Sequence, residues 1–319
     1  MGFLEDGEWV LENLSAKGGI ERRFNTKTTP FRSSITRDGS SGYPADPSRY
    51  HLYVSLGCPF AHRAHITLKL KNLEDKIQVS IVDPVITESE GWVFSEYPGS
   101  NLDPVNNFTH LRQVYLKSDP SASGRVTVPV LFDKVTQKIV NNESSEIIEM
   151  LNECFDGPDL YPIELRPKID EVNQWVLSEI NNGVYKCGFV TDQNVYEHNV
   201  IELFKALDKL EEILETSRYL VGNVFTLADV RLFPTLIRFD AAYYGHFKCN
   251  LRRIVDYPNI WNYVKDVYQM PGIADTVNID HIKRVYYVSQ LYINPNGIVP
   301  KGPILDFSAP HNRASKFSE

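Results

Sequence analysis

The sequence predicts an α/β domain of βαβ–ββα order followed by an all-α domain. Three features point to it. Cys58-Pro59 lies between a strand pattern and a helix pattern, a second pair of short strands surrounds a turn after residue 128, and beyond a linker at 156–167 apolar residues recur only at helical spacing. With 319 residues the chain is long enough to bury two cores.

Residues 1–49 are rich in Gly, Ser, Arg and Pro and are expected to form an extended N-terminal arm. Residues 50–55 alternate as a strand, and 61–73 repeat Ala61, Ala64 and Leu68 at helical spacing. Pro59 suits the first helical turn, where a missing N–H costs little. Residues 77–82 supply a second strand, parallel to the first by the βαβ rule. Residues 84–124 show no regular pattern, and loops of this length are often functional, which brings Trp92 into view. Strands at 128–133 and 138–141 and a helix over 143–155 complete a domain spanning 50–155. Pro129 beside the first of these strands needs a cis bond or an edge position.

The helical domain is expected over 162–293. Val172, Val176 and Ile180 form one stripe, and Leu203, Leu207, Leu210 and Leu214 another. Thr226-Leu-Ala-Asp229 has capping-box spacing. Residues 294–319, rich in Pro and Gly, read as a tail wrapping a surface.

The net charge is −8, and there is no basic run of the kind that binds nucleic acid. No segment has the roughly 20 apolar residues needed to cross a bilayer, and the first thirty residues lack a signal-peptide core. A cytoplasmic protein is expected. Cys58, Cys154, Cys187 and Cys249 show neither zinc-ligand spacing nor disulfide-scaffold density, so reduced thiols and no metal are expected.

A cysteine at a helix start lies near unpaired N–H groups and the positive end of the helix dipole, which favours its thiolate. The alternative is a packed small residue. His62 and Arg63 would either add positive potential or face solvent. A dithiol oxidoreductase would carry a second cysteine where Ala61 stands. A mixed disulfide at Cys58 must therefore be resolved by an external thiol, and glutathione is the abundant candidate. Val128-Pro129 and Asn142-Glu143-Ser144 flank the second strand pair. In a thioredoxin-like layout both would face Cys58: the Val128 backbone toward an extended peptide, Glu143 toward an ammonium, and Ser144 with the helix N–H groups toward a carboxylate. The competing reading is ordinary N-capping by Asn142 or Ser144.

Tyr50-His-Leu-Tyr-Val-Ser-Leu-Gly-Cys-Pro-Phe-Ala-His-Arg63 resembles the active-site segment of glutathionyl-hydroquinone reductases, the Xi-class glutathione transferases, which are related to the omega class. The resemblance extends through Phe31-Arg-Ser-Ser-Ile-Thr-Arg-Asp-Gly39, Gly91-Trp92, Arg125-Val-Thr-Val-Pro129, Asn142-Glu-Ser144, Gly183-Val-Tyr-Lys-Cys-Gly-Phe189 and His281-Ile-Lys-Arg-Val-Tyr-Tyr287 to Ile293-Asn-Pro295. It implies the glutathione-transferase fold, a thioredoxin-like domain joined to an all-helical domain with the hydroquinone in the cleft between them. It further implies Cys58 as nucleophile, Trp92, Arg125, Val128, Glu143 and Ser144 as glutathione-binding residues, Tyr185 and Tyr286 at the quinol oxygens, and a homodimer paired through the helical domains. Phe60 departs from the family's usual tryptophan, and Val285 and Gln290 stand where histidines are frequent. Two other functions compete: an omega-type transferase with thioltransferase or dehydroascorbate reductase activity, and a non-catalytic interaction module. Cys154, Cys187 and Cys249 are expected to be structural, with Cys187, which closely follows Tyr185, the one expected to border the cleft.

Overall fold

The protein is described here by a computed structural model covering residues 2–11 and 31–318. The middle of the expected N-terminal arm, 12–30, lies outside the described residues. The start of that arm is more ordered than its composition suggests: β1 (Phe3–Glu5) and β2 (Glu8–Val10) form a hairpin, tethered by a bridge from Leu4 to Gly124. Three-residue strands are too short to show an alternation.

The central sheet contains β3 (Tyr50–Val54), β4 (Gln78–Ile81), β5 (Val130–Asp133) and β6 (Lys138–Asn141) in the order β4-β3-β5-β6. β3 runs parallel to β4 and antiparallel to β5, with Leu52 opposite Val79 on one side and Leu131 on the other. α1 (Pro59–Leu70) crosses between the parallel pair, and α3 (Ser144–Cys154) follows β6 and packs against α1. The connection between β4 and β5 is not wholly irregular. It contains α2 (Leu111–Ser118), begun by a capping box of His110 and Gln113. Only Leu111, Val114 and Tyr115 of that helix are buried, so its apolar stripe is too short to stand out among the surrounding prolines.

The second half is helical: α4 (Arg166–Trp175), α5 (Gly183–Phe189), α6 (Gln193–Thr216), α7 (Leu227–Arg238), α8 (Tyr244–His246), α9 (Pro258–Tyr268) and α10 (Ile279–Tyr287), with a short α11 (Arg313–Lys316) near the end. Both expected apolar stripes are buried, and the Thr226–Asp229 capping box is formed at the start of α7. Two π-helical segments, Val176–Asn181 and Phe239–Tyr243, interrupt the α-helical pattern. π-segments of this kind recur at functional sites; the first carries Asn181 to Arg63 of the first half, and the second carries Tyr243 to Tyr286. The tail lies along α6 and α9: Lys265 donates to the Pro310 carbonyl, and fully buried Arg313 donates to the carbonyls of Leu214, Ser217 and Arg218.

α1 joins the two halves. It contacts α3 on the sheet side and α7 on the helical side, and Pro59 and every residue from Ala61 to Leu68 are buried. In the helical half, α5 approaches Phe247, the residue after α8, closely at Gly188. A Cβ at that position would lie 2.1 Å from a ring carbon of Phe247, which is itself fully buried. Gly188→Ala is therefore expected to cost about 1–3 kcal/mol through overpacking, read as a lowered denaturation midpoint at unchanged m-value.

Candidate active site

Cys58 is the N-cap of α1, in extended conformation (φ −82°, ψ 123°), with Pro59 at the first helical position. Gly57 before it leaves no room for a side chain, because a Cβ there would come within 2.6 Å of Val285 and 2.9 Å of the His281 carbonyl. The Cys58 Sγ lies 3.8 Å from the carbonyl oxygen of Val128, and the Val128–Pro129 peptide is cis. Cys58 thus sits where the strand-to-helix turn meets the start of β5.

The expected pull toward the thiolate meets an opposing influence. Burial is the largest influence on Cys58 and pushes its pKa up. Opposing it are the backbone N–H groups of Ala61 and Phe60, which bond the sulfur, and the charges of Arg238 and Arg63. The helix start acts as expected, but desolvation outweighs it.

His62 and Arg63 do not face solvent; both are buried. Arg63 donates to the Asn181 side chain (3.0 Å) and to the Arg231 carbonyl (3.3 Å), and its guanidinium lies 4.7 Å from the Phe60 ring centre. Burial lowers its pKa to about 10, which leaves it charged at neutral pH. His62 accepts from Arg238 at Nδ1 (2.9 Å), so its Nε2–H is directed to Thr276 Oγ1 (2.7 Å). Burial, with Arg238 next, holds the imidazole well below its ordinary pKa and therefore neutral.

A cavity of about 640 Å³ opens over Cys58, a size that suits a small organic ligand. Trp92, Arg125, Val128, Glu143 and Ser144 lie along its sheet side, and Tyr185 and Phe189 along its helical side. Glu143, rather than Asn142 or Ser144, is the N-cap of α3: its carboxylate accepts from the Ser145 N–H at 3.1 Å. Asn142 instead turns inward and donates to the Tyr115 hydroxyl (2.9 Å).

Tyr286 does not line the cavity. It is buried behind Tyr185, and their hydroxyl oxygens are 2.8 Å apart. Tyr243, which no sequence pattern marks, joins them: its hydroxyl lies 2.9 Å from that of Tyr286. Burial pushes all three phenols up, Tyr243 to about 12 and the other two well above their ordinary value. All three are protonated at neutral pH. The Tyr185 ring stacks on Phe60 (centroids 6.3 Å, planes 28° apart) and meets Phe247 edge-on. Val285 and Gln290 both line the cavity, and Gln290 accepts from His246 (2.9 Å). Cys187 is buried outside the cavity lining, against the expectation that it borders the cleft, and Cys154 and Cys249 are buried too.

Arg238 also escaped the sequence reading. It is fully buried and donates through Nε to the Gly57 carbonyl (3.0 Å) and through Nη2 to the Leu56 carbonyl (2.7 Å). One signal was available: an isolated charge within the apolar run from Leu232 to Phe239, which needs internal partners if the run is core.

Among the described residues no helix is long and apolar enough to cross a membrane. Family models of the glutathione S-transferase N-terminal domain and C-terminal domain match residues 57–154 and 193–266. Glutathionyl-hydroquinone reductase YqjG of Escherichia coli is 47% identical over 99% of this chain and 100% of its own. Its glutathione-bound structure superposes with a TM-score of 0.91 at 46% identity, covering 99% of this chain and 100% of that one. Glutathionyl-hydroquinone reductase PcpF of Sphingobium chlorophenolicum is 47% identical over 95% of this chain and 96% of its own. A Xi-class glutathione transferase from Natrialba magadii superposes with a TM-score of 0.91 at 44% identity over 99% and 97% of the two chains. With a mixed thioredoxin-like sheet, a helical second half and likeness over nearly its whole length, the chain belongs to the glutathionyl-hydroquinone reductases, the Xi class of glutathione transferases.

Proposed function

We propose that this protein reduces glutathionyl-hydroquinones to hydroquinones with glutathione as co-substrate, through a mixed disulfide at Cys58. The observation that carries the reading is the composition of one cavity: a cysteine at a helix start, with Val128, Glu143 and Ser144 on one side and Tyr185, backed by Tyr286 and Tyr243, on the other.

In this mechanism Trp92, Arg125, the Val128 backbone, Glu143 and Ser144 hold the glutathionyl part of the substrate. Glu143 suits the ammonium, while Ser144 and the N–H groups at the start of α3 suit the α-carboxylate. The Cys58 thiolate attacks the glutathionyl sulfur. An S–S bond forms, the S–C bond to the ring breaks, and its electron pair stays on the ring carbon, which takes up a proton. The two sulfurs are oxidised to a disulfide and the ring is reduced to the hydroquinone. Tyr185, backed by Tyr286, donates to the quinol oxygen on which charge develops, as a phenol held protonated by burial can do without ionising. A second glutathione thiolate then attacks the mixed disulfide, releasing oxidised glutathione and regenerating the Cys58 thiolate.

Three outcomes test this reading. Cys58→Ser should leave the melting temperature near the parent value and reduce turnover of glutathionyl-menadiol to below a few per cent; substantial remaining turnover moves the nucleophile elsewhere. Glu143→Gln keeps an acceptor for the α3 cap but removes the charge. It should weaken glutathione binding by roughly tenfold or more, the value of one charge-assisted contact at about 1.5–3 kcal/mol, as read by calorimetry. Tyr185→Phe and Tyr286→Phe should slow hydroquinone release while largely sparing deglutathionylation of a simple mixed disulfide. Equal loss of both activities would assign the tyrosines to packing or to the glutathione step instead.

A further inference from the structure

Arg238 ends α7 in the helical half yet spends its hydrogen bonds on the loop that carries Cys58. Four of its donors are accounted for: the carbonyls of Gly57, Leu56 and Pro234 and the Nδ1 of His62. All four acceptors are neutral. A guanidinium with no exposed surface therefore keeps a full charge that its own hydrogen-bond partners do not match, an expensive arrangement unless an anion is placed nearby.

We propose that Arg238 is the buried counter-charge of the Cys58 thiolate and the positioning residue for its loop, fixing the carbonyls of the two residues before the cysteine. The proposal rests on Cys58 being the nucleophile. Its geometry is that of a fork grasping the backbone one and two residues before the cysteine, which holds the cation at a set place under the α1 start. The electrostatic influences agree: the Arg238 charge pulls down Cys58, and it also pulls down Tyr243 and Tyr286. One cation thus acts on both the nucleophile and the rear of the tyrosine cluster.

Other groups surround the same loop. Arg63 of α1, Tyr185 of α5 and Tyr243 of the π-helical segment interact with the sulfur's charge, the neutral His62 bonds Arg238, Tyr286 of α10 stands behind Tyr185, and Arg231 of α7 lines the cavity. On the sheet side, Glu143, Arg125 and Glu88 line the cavity. Arg63 is the other buried cation close to Cys58, but it lines the cavity and is exposed to whatever binds there, whereas Arg238 is sealed behind the loop. Arg238 therefore biases Cys58 toward the thiolate through every stage of the cycle.

The test is the pH dependence of Cys58 alkylation by iodoacetamide in the full chain, followed by mass spectrometry of the Cys58 peptide. Arg238→Gln should move the midpoint up by about one pH unit or more, a roughly tenfold slower reaction at neutral pH. Arg238→Lys, which keeps the charge and loses the fork, should hold the midpoint near the parent value while lowering kcat. A folded Arg238→Gln protein with an unmoved midpoint overturns the proposal, as does an Arg238→Lys midpoint displaced as far as that of Arg238→Gln. If Arg238→Gln does not fold, Cys58→Asp and Cys58→Asn decide the matter in thermal melts at neutral pH. The aspartate substitution should be the more stable of the two; a less stable one overturns the counter-charge. Alkylation does not depend on the quinol, so a normal Arg238 effect in a protein without reductase activity would refute the proposed function and leave this inference standing.

Discussion

The face of α1 that meets the helical half carries the polar side chains His62 and Arg63, and closing the two halves depends on most of their donors and acceptors finding partners there. His62 and Arg63 are both buried on that face. An unmatched polar group in such a place costs on the order of 1–3 kcal/mol, and a charged one more. The solution is a seam of reciprocal bonds: Arg63 to Asn181, Asn181 to Thr235 (2.7 Å), His62 to Thr276, and Arg238 back across to Leu56, Gly57 and His62. Because these bonds are directional, they fix the rotation of α1 against α7 in a way that apolar packing would not. The Cys58 position, at the end of α1, inherits that accuracy.

The same seam explains which parts of the fold were legible in the sequence. Elements whose signal is local were readable: the β3–α1–β4 unit, the strand pair at β5 and β6, the stripes of α6, and the Thr226–Asp229 box. α1 illustrates the limit. Its apolar positions are real, but Pro59 and all residues from Ala61 to Leu68 are buried, so periodicity could not reveal that His62 and Arg63 face another protein surface rather than water. Arg238 and Thr276 lie 176 and 214 residues from His62, and no local rule pairs groups at such a separation. α2 and the β1–β2 hairpin were missed for a simpler reason, being too short to establish a period.

The candidate site divides along the same line. Cys58, Val128, Glu143 and Ser144 were chosen from the junctions of strands and helices, where backbone groups become available, and they lie around one cavity. The net direction of the Cys58 pKa was not readable, since it depends on how much of the cleft's wall the distant helices supply. Tyr185 and Tyr286 stood out only through their surrounding motif. Tyr243 had no such motif, and it enters the cluster because the π-helical segment Phe239–Tyr243 turns it inward.

Hydrogen-bond accounting in that cluster limits what it can do. Each phenol has one proton to donate and can accept two, and Tyr286 is engaged by both neighbours, at 2.8 and 2.9 Å. Burial raises the pKa of every member, so none is a ready base. A quinol oxygen entering from the cavity meets Tyr185 first, and a proton reoriented toward it can be compensated by Tyr286 and Tyr243 behind. The cluster can therefore redirect a donor without ionising. On the proposed mechanism that donor is needed where charge develops on the quinol oxygen, whereas exchange between two sulfurs places no charge on an oxygen, so the tyrosines serve the quinol step of the proposal and not the disulfide step.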